Sequence, residues 1–232
     1  TKLCVINIIM SLKRHTIPVT PLQQNCTLLW DDESKEVVIT DLGGELQYLL
    51  DFINQHRLTL KAVWLTHGHF DHIQEVSELL NQQAVPVLGP AKEDAHLLTE
   101  LPQILIAFGF PPKAPFIPTR WLNEGEILTV GSYHFKVLHI PGHSPGHVVF
   151  YCKAEKLLIA GDVLFLESIG RTDFPDSNHR DFMHAIKNKI LPLPDDTLVI
   201  TGHGAFTTIG HERKFNPFLQ GLDKQCDCVI SE

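Results

Sequence analysis

Seven consecutive residues, Thr66-His67-Gly68-His69-Phe70-Asp71-His72, hold three histidines and one aspartate, and no other stretch constrains the chain as tightly. The apolar run before them, KAVWL at 61–65, reads as a buried strand. After them, Ile73, Val76, Leu79 and Leu80 fall on one face of a helix. The cluster therefore sits on a turn from a strand's carboxyl end to a helix's amino end, where α/β proteins place their sites. His67 and His69 are two apart, so in extended backbone both imidazoles point to one side and can grip one ion. Asp71 and His72 are adjacent. From the first turn of the helix they reach a second ion, and a carboxylate there is favoured by the helix's positive end.

Three later strand-like runs also end in metal-binding residues: VLHIPGH (137–143) in His143, LLIAGD (157–162) in Asp162, and LVITGH (198–203) in His203. A catalytic zinc takes about three protein ligands and keeps a position open for water. By spacing, His67, His69 and His143 supply one ion, and Asp71, His72 and His203 supply the other. Asp162 can bridge the two, because a carboxylate offers two oxygens. The count fits a two-metal site.

The motifs THGHFDH, PGHSPGH, AGD and TGHG resemble those of the metallo-β-lactamase superfamily, whose signature is HxHxDH followed by later His, Asp and His. Within it, GDVLFLESIGRTDFP (161–175) and TGHGAFTTIGHERKFNPF (201–218) are similar to glyoxalase II-like hydrolases of a bacterial subfamily. The resemblance spans about residues 14–220. It implies a four-layer αββα sandwich of the α+β or α/β class, two mixed sheets flanked by helices, with a binuclear site at one edge. It also implies that His67, His69, His143 and Asp162 hold one ion, and Asp71, His72, Asp162 and His203 the other. Zinc is the expected metal of both, with iron and manganese as alternatives, because His and Asp donors accept all three.

The implied activity is hydroxyacylglutathione hydrolase-like: hydrolysis of S-lactoylglutathione or a related acylthioester by a metal-bridging hydroxide, with Asp71 orienting it. Coordination lowers a water's pKa from about 15.7 toward about 7, and the ions can also stabilise the oxyanion, so no Ser or Cys nucleophile is needed. Two departures bear on substrate. Glyoxalase II carries a helical carboxyl-terminal domain that contacts glutathione, whereas this chain ends soon after NPFLQ (216–220). Its loop after the bridging aspartate carries a basic residue and a tyrosine; the matching positions here are Arg171 and Asp173, the latter not aromatic. Arg171 is a candidate for a substrate carboxylate, or forms a structural salt bridge.

Competing readings are a mononuclear iron persulfide dioxygenase using only His67, His143 and Asp162, a lactone hydrolase, a β-lactamase, and a non-catalytic metal-stabilised module. The β-lactamase is disfavoured by the lack of a visible export signal. The module is disfavoured because a structural zinc site is normally closed.

Composition bounds the rest. Of 232 residues, 44% are apolar and 20% charged, ordinary for a globular enzyme. Nineteen basic against 27 acidic side chains give −8, which argues against nucleic acid as a partner. A small-molecule thioester is the expected partner. Five scattered cysteines (4, 26, 152, 226, 228) read as free thiols in a reducing cytosol, since Cys226 and Cys228 have no answering pair. CVINIIM (4–10) is too short for a membrane span and lacks a cleavage site. Residues 1–9 are read as an extension before a single domain over 10–232, in the cytoplasm and without a membrane partner.

Strand-like runs at 15–19, 25–30, 36–40, 61–66, 86–89, 134–140, 147–152, 156–161 and 197–202 surround helical patterns at 45–57, 72–83, 92–108 and 179–191. That mixture predicts a mixed sheet system with helices outside, not an all-parallel Rossmann sheet. The four prolines of 109–120 demand an irregular loop, and Pro102 should kink the apolar helix before it. That helix is read as core packing, with a lid or an interface as alternatives. His147 is read as a supporting residue, not a ligand. Asp41 in TDLGGE either orients a ligand histidine or caps a strand end, and Gly43-Gly44 reads as a tight turn. The remaining histidines (15, 56, 96, 134, 139, 179, 184, 211) are read as packed or solvated.

Overall fold

Alternate residues of the central strands belong to different apolar clusters, and this decides the layering. In β2 (Gln24–Asp31), Leu28 packs toward one cluster and Leu29 toward another; in β3 (Glu36–Thr40), Val37 and Ile39 face one way and Val38 the other. In β8 (Val148–Cys152), Val148, Phe150 and Cys152 join the middle cluster, while Val149 and Tyr151 join a third. Side chains of a strand alternate between faces, so strands apolar throughout are covered on both sides. The computed structural model describes residues 11–222. Cys4, Cys226, Cys228 and the 1–9 segment lie outside the described residues.

The first sheet runs β1 (Leu12–Val19), β2, β3, β4 (Thr59–Trp64), β5 (Val87–Leu88) in that order. Its first three strands pair antiparallel and its last three parallel. Between the parallel strands lie α1 (Leu46–Gln55), then α2 (Phe70–Ile73) and α3 (Val76–Gln82). The second sheet contains β6 (Ile127–Val130), β7 (Tyr133–His139), β8, β9 (Leu157–Gly161), β12 (Leu198–Thr201) and β13 (Thr207–Thr208), ordered β13-β12-β9-β8-β7-β6. Only β9 and β12 pair parallel there. A small ribbon, β10 (Leu164–Phe165) and β11 (Ser168–Ile169), follows β9. Helices α4 (Ala95–Thr99) and α5 (Leu101–Ala107) lie with the first sheet, and α6 (His179–Ala185) and α7 (Ile209–Phe215) with the second. Trp64 meets Phe135 edge-on at 5.2 Å between the sheets. The result is the expected αββα sandwich of mixed sheets.

Local expectations need three corrections. The predicted helix at 92–108 is a 3-10 turn (Lys92–Asp94) followed by α4 and α5, broken at Glu100. Pro102 does not kink a continuous helix; it lies in the first turn of α5, where a missing N–H costs nothing. The helix over 72–83 likewise divides into α2 and α3. Core packing holds for Leu97, Leu98, Leu101 and Leu105, while Ile106 and Phe108 are 60% and 63% exposed. The 110–118 stretch is irregular, as four prolines require. No described helix is long and apolar enough to cross a membrane.

Candidate metal centre

The ends of β4, β9 and β12 and the loop after β7 open at one edge of the sandwich, and there the seven candidate residues meet. Three groups of side chains can each hold an ion: His67, His69 and His143; His67, His72 and Asp162; Asp71, His72 and His203, each with its ligand atoms within 4.8 Å of one another. His72 Nε2 lies 3.3 Å from Asp162 Oδ1, and His203 Nε2 lies 3.2 Å from Asp71 Oδ2. Asp162 Oδ2 is 3.5 Å from His143 Nε2 and 3.6 Å from His203 Nε2. Two donors on one zinc, each about 2.0–2.1 Å from it, stand about 3.4 Å apart at the tetrahedral angle. The observed gaps have that size.

Partners outside the centre set the tautomers. His143 Nδ1 donates to the carbonyl of Arg171 at 2.7 Å, and His203 Nδ1 to that of Leu22 at 2.9 Å. His72 Nδ1 donates to Asp41 Oδ2 at 3.0 Å. The same Asp41 accepts from the Thr66 amide and hydroxyl, both at 2.7 Å. Because Thr66 spends its only hydroxyl proton on Asp41, its oxygen can only accept from His67 Nδ1, 3.0 Å away. Each arrangement turns Nε2 inward, the usual device for orienting ligand histidines, and at His67 and His143 that atom is left as a bare lone pair. His67 Nε2, His143 Nε2 and Asp162 Oδ1 are buried with no hydrogen-bond partner. Orphaned acceptors of this kind fit a cation and would otherwise be costly. Asp41 is thus the orienting residue of His72, not a strand cap alone.

Charge within the centre follows from burial and proximity. Burial would raise Asp162, but His72, His143 and His203 hold it well below the usual carboxylate range. Asp71 is likewise lowered against burial, by His72 and His203. His72 and His203 are raised: burial opposes this, and the carboxylates of Asp162 and Asp71 overcome it. His69 is lowered to about 4 by burial and by His143. Burial and the neighbouring histidines also lower His67 and His147. The carboxylates are ionised and the His67 and His69 rings neutral, the state that a divalent cation selects, whereas His72 and His203 give up a proton on binding one.

His147 is no member of the candidate groups. Its Nε2 accepts from the Asp162 amide at 3.1 Å, and its ring stacks on His67 at 4.6 Å, so it supports both. Arg171 pairs with both oxygens of Asp173 at 2.9 and 3.1 Å and covers the Phe174 ring at 4.7 Å. Its side chain is in the salt bridge, and its carbonyl holds His143. Phe174, not singled out from sequence, packs on His69 at 4.9 Å and His143 at 5.6 Å. Thr66 and the buried Asp94 were also not singled out. Nothing local marks Asp94, one acid in the KEDAHLL stretch. Among the other histidines, His15 stacks on Phe52 at 4.4 Å, and His96 and His211 pair with Asp176 and Glu167, both at 3.0 Å.

An αββα sandwich with an HxHxDH turn and later His, Asp and His at one edge defines a class of metal-dependent enzymes. The chain belongs to the metallo-beta-lactamase superfamily, whose family model matches residues 19–203. It is 46% identical to the hydroxyacylglutathione hydrolase GloC of Haemophilus influenzae, covering 88% of this chain and 96% of that protein. Among solved structures it is similar to the BLEG-1 B3 metallo-beta-lactamase, with 40% identity, a TM-score of 0.82, and 90% and 100% of the two chains covered. It is also similar to TTHA1623 in a di-iron-bound form, with 36% identity, a TM-score of 0.80, and 88% and 100% covered.

Proposed function

We propose that this chain is a binuclear metallohydrolase of acylthioesters, with S-lactoylglutathione or a close analogue as substrate. The observation that carries the reading is the convergence of all seven His and Asp side chains, three of which (His67, His143 and Asp162) present buried atoms with no hydrogen-bond partner. Similarity to a hydroxyacylglutathione hydrolase supports the thioester over other acyl bonds. In this reading His67, His69, His143 and Asp162 hold one ion, and Asp71, His72, Asp162 and His203 the other. Bound there, two divalent ions supply a Lewis acid for the carbonyl and a water activated at neutral pH. Zinc is the proposed metal, and the di-iron form of a relative keeps iron in view.

The chain's own groups then have defined tasks. Asp71, ionised and in reach of His203 Nε2, orients the attacking water and accepts a proton on Oδ2. Attack forms a carbon–oxygen bond and breaks the carbon–sulfur bond; the thiolate leaves, and the proton passes from Asp71 to sulfur or solvent. Phe174 shields His69 and His143 on one side. Arg171 would have to leave Asp173 before it could meet a substrate carboxylate. The enzyme is proposed to act in the cytoplasm, where the thioester and its free thiol would be found.

The test is loss of thioester absorbance with S-D-lactoylglutathione and metal-loaded protein, with Asp71→Ala as control. Turnover in the parent that falls about a hundredfold or more in the variant is expected. Two ions per chain without turnover would reject the substrate and direct the search to other thioesters and lactones. A single iron per chain would favour the dioxygenase alternative, which leaves the Asp71, His72 and His203 group without a task.

A further inference from the structure

His67 and His69 come from one loop and His143 from another, yet one ion must find all three rings in register. The buried carboxylate of Asp94 lies between those loops. Its Oδ2 accepts from the Gly68 amide and from the Ser144 hydroxyl, both at 2.8 Å, and its Oδ1 accepts from the Gly146 amide. Gly68 separates the first two ligand histidines, and Ser144 directly follows the third. The surroundings are built for this approach. A Cβ on Gly68 would come within 2.8 Å of Leu97 Cβ, and one on Gly146 within 2.6 Å of the Ala91 carbonyl. Ala91 adds a backbone bond to Gly146 at 3.0 Å. All three partners of Asp94 are donors, so a carboxylate satisfies them and an amide cannot. The other candidate group has separate anchors: His72 is held by Asp41 and His203 by the Leu22 carbonyl.

We infer that Asp94 is a positioning residue that straps the two loops together and sets the metal affinity of the His67, His69, His143 side alone. The inference rests on the two-ion reading above. It assigns the joining of the two loops of one half to Asp94, whereas Asp41 orients His72 of the other half directly and reaches His67 only through Thr66. Loss of an outer partner typically costs 10–100-fold in metal affinity, about what removing one strap should cost here.

The experiment is a zinc titration of chelator-stripped protein against a chromophoric competitor, which yields a dissociation constant for each site. Asp94→Asn is expected to weaken one constant by about 10–100-fold and leave the other unchanged. Combined with His203→Ala, the weakening should persist; combined with His69→Ala, it should vanish. Ser144→Ala keeps the carboxylate and removes one donor, so it carries the same expectation with a smaller effect should Asp94→Asn not fold. Equal weakening of both constants overturns the inference. So does a lowered melting temperature with both constants intact, since that marks a merely structural role. Fewer than two ions in the parent protein overturns the two-ion reading and this inference with it. Two ions insensitive to Asp94→Asn and Ser144→Ala overturn this inference alone.

Discussion

A Cβ added at Gly202 would lie 2.0 Å from Oδ1 of Asp162, and one at Gly43 would lie 1.7 Å from the carbonyl oxygen of Asp71. Gly170 is as tight, 1.9 Å from the carbonyl of Asp162. Both aspartates of the centre therefore rest against glycines, and Gly43 serves close approach where the sequence suggested only a tight turn. Gly202→Ala forces the Asp162 carboxylate aside. It is expected to lower bound metal below the parent's level and to cost about 1–3 kcal/mol of stability, the usual penalty of overpacking. Metal analysis beside a thermal melt checks both; a variant with full metal content would sink the idea. The seven candidate residues were legible because each is chemically distinctive and the four motifs that hold them each follow an apolar run. Asp94 was not, because its meaning lies in amides 26 and 52 residues away along the chain. Nothing in the letters around it carries that information.

The start of α6 is tied to the loop that carries His143. Asn178 caps the helix by accepting from the Asp181 amide at 3.1 Å, and its own amide donates to the Gly142 carbonyl at 2.8 Å. Ser177 donates to the carbonyl of His143 itself at 2.8 Å. Gly142 adopts φ 134°, and a Cβ there would strike that of Phe182, 2.3 Å away. Phe182 is fully buried against the second sheet. Phe182→Ala should therefore cost about 3–5 kcal/mol, and Asn178→Ala about 1 kcal/mol through loss of its cap. Denaturant midpoints measure both, and equal costs would contradict this ranking. At this scale the sequence revealed β4, β9 and β12, since each is an apolar run closed by a Gly or Thr before the site. It did not reveal β6, four residues that alternate between exposed and buried, nor that β12 lies beside β9, because strand order is set by distant partners. The break at Glu100 was hidden because the apolar spacing continues across it.

Over the whole chain the charge is −8, but the pH response of the centre is governed by its own histidines. In metal-free protein the raised and the lowered rings act in opposite directions. His72 and His203 are raised above the ordinary imidazole value, so their stabilisation is complete below about pH 6.5 and is lost as pH rises through their folded values. His67, His69 and His147 are lowered, so the unfolded chain takes up protons first, and stability falls as pH drops below about 6.5. For His69 that loss continues to about pH 4. Asp71 and Asp162, both lowered, contribute fully above about pH 4 and lose their contribution only below it. The two histidine effects decline in opposite directions from the same point, so metal-free protein should be most stable near pH 6.5. Metal reverses the alkaline branch. Ions compete with protons for His72 and His203, so binding at pH 7 should release protons, tighten as pH rises, and stabilise only the folded chain. Melting temperatures from pH 5 to 9, with and without chelator, test the stability curve. Titration calorimetry in two buffers of different ionisation enthalpy tests the proton release. Metal-free protein that keeps gaining stability up to pH 9, or metal binding that takes up protons, would show that the facing carboxylates do not hold these two rings charged.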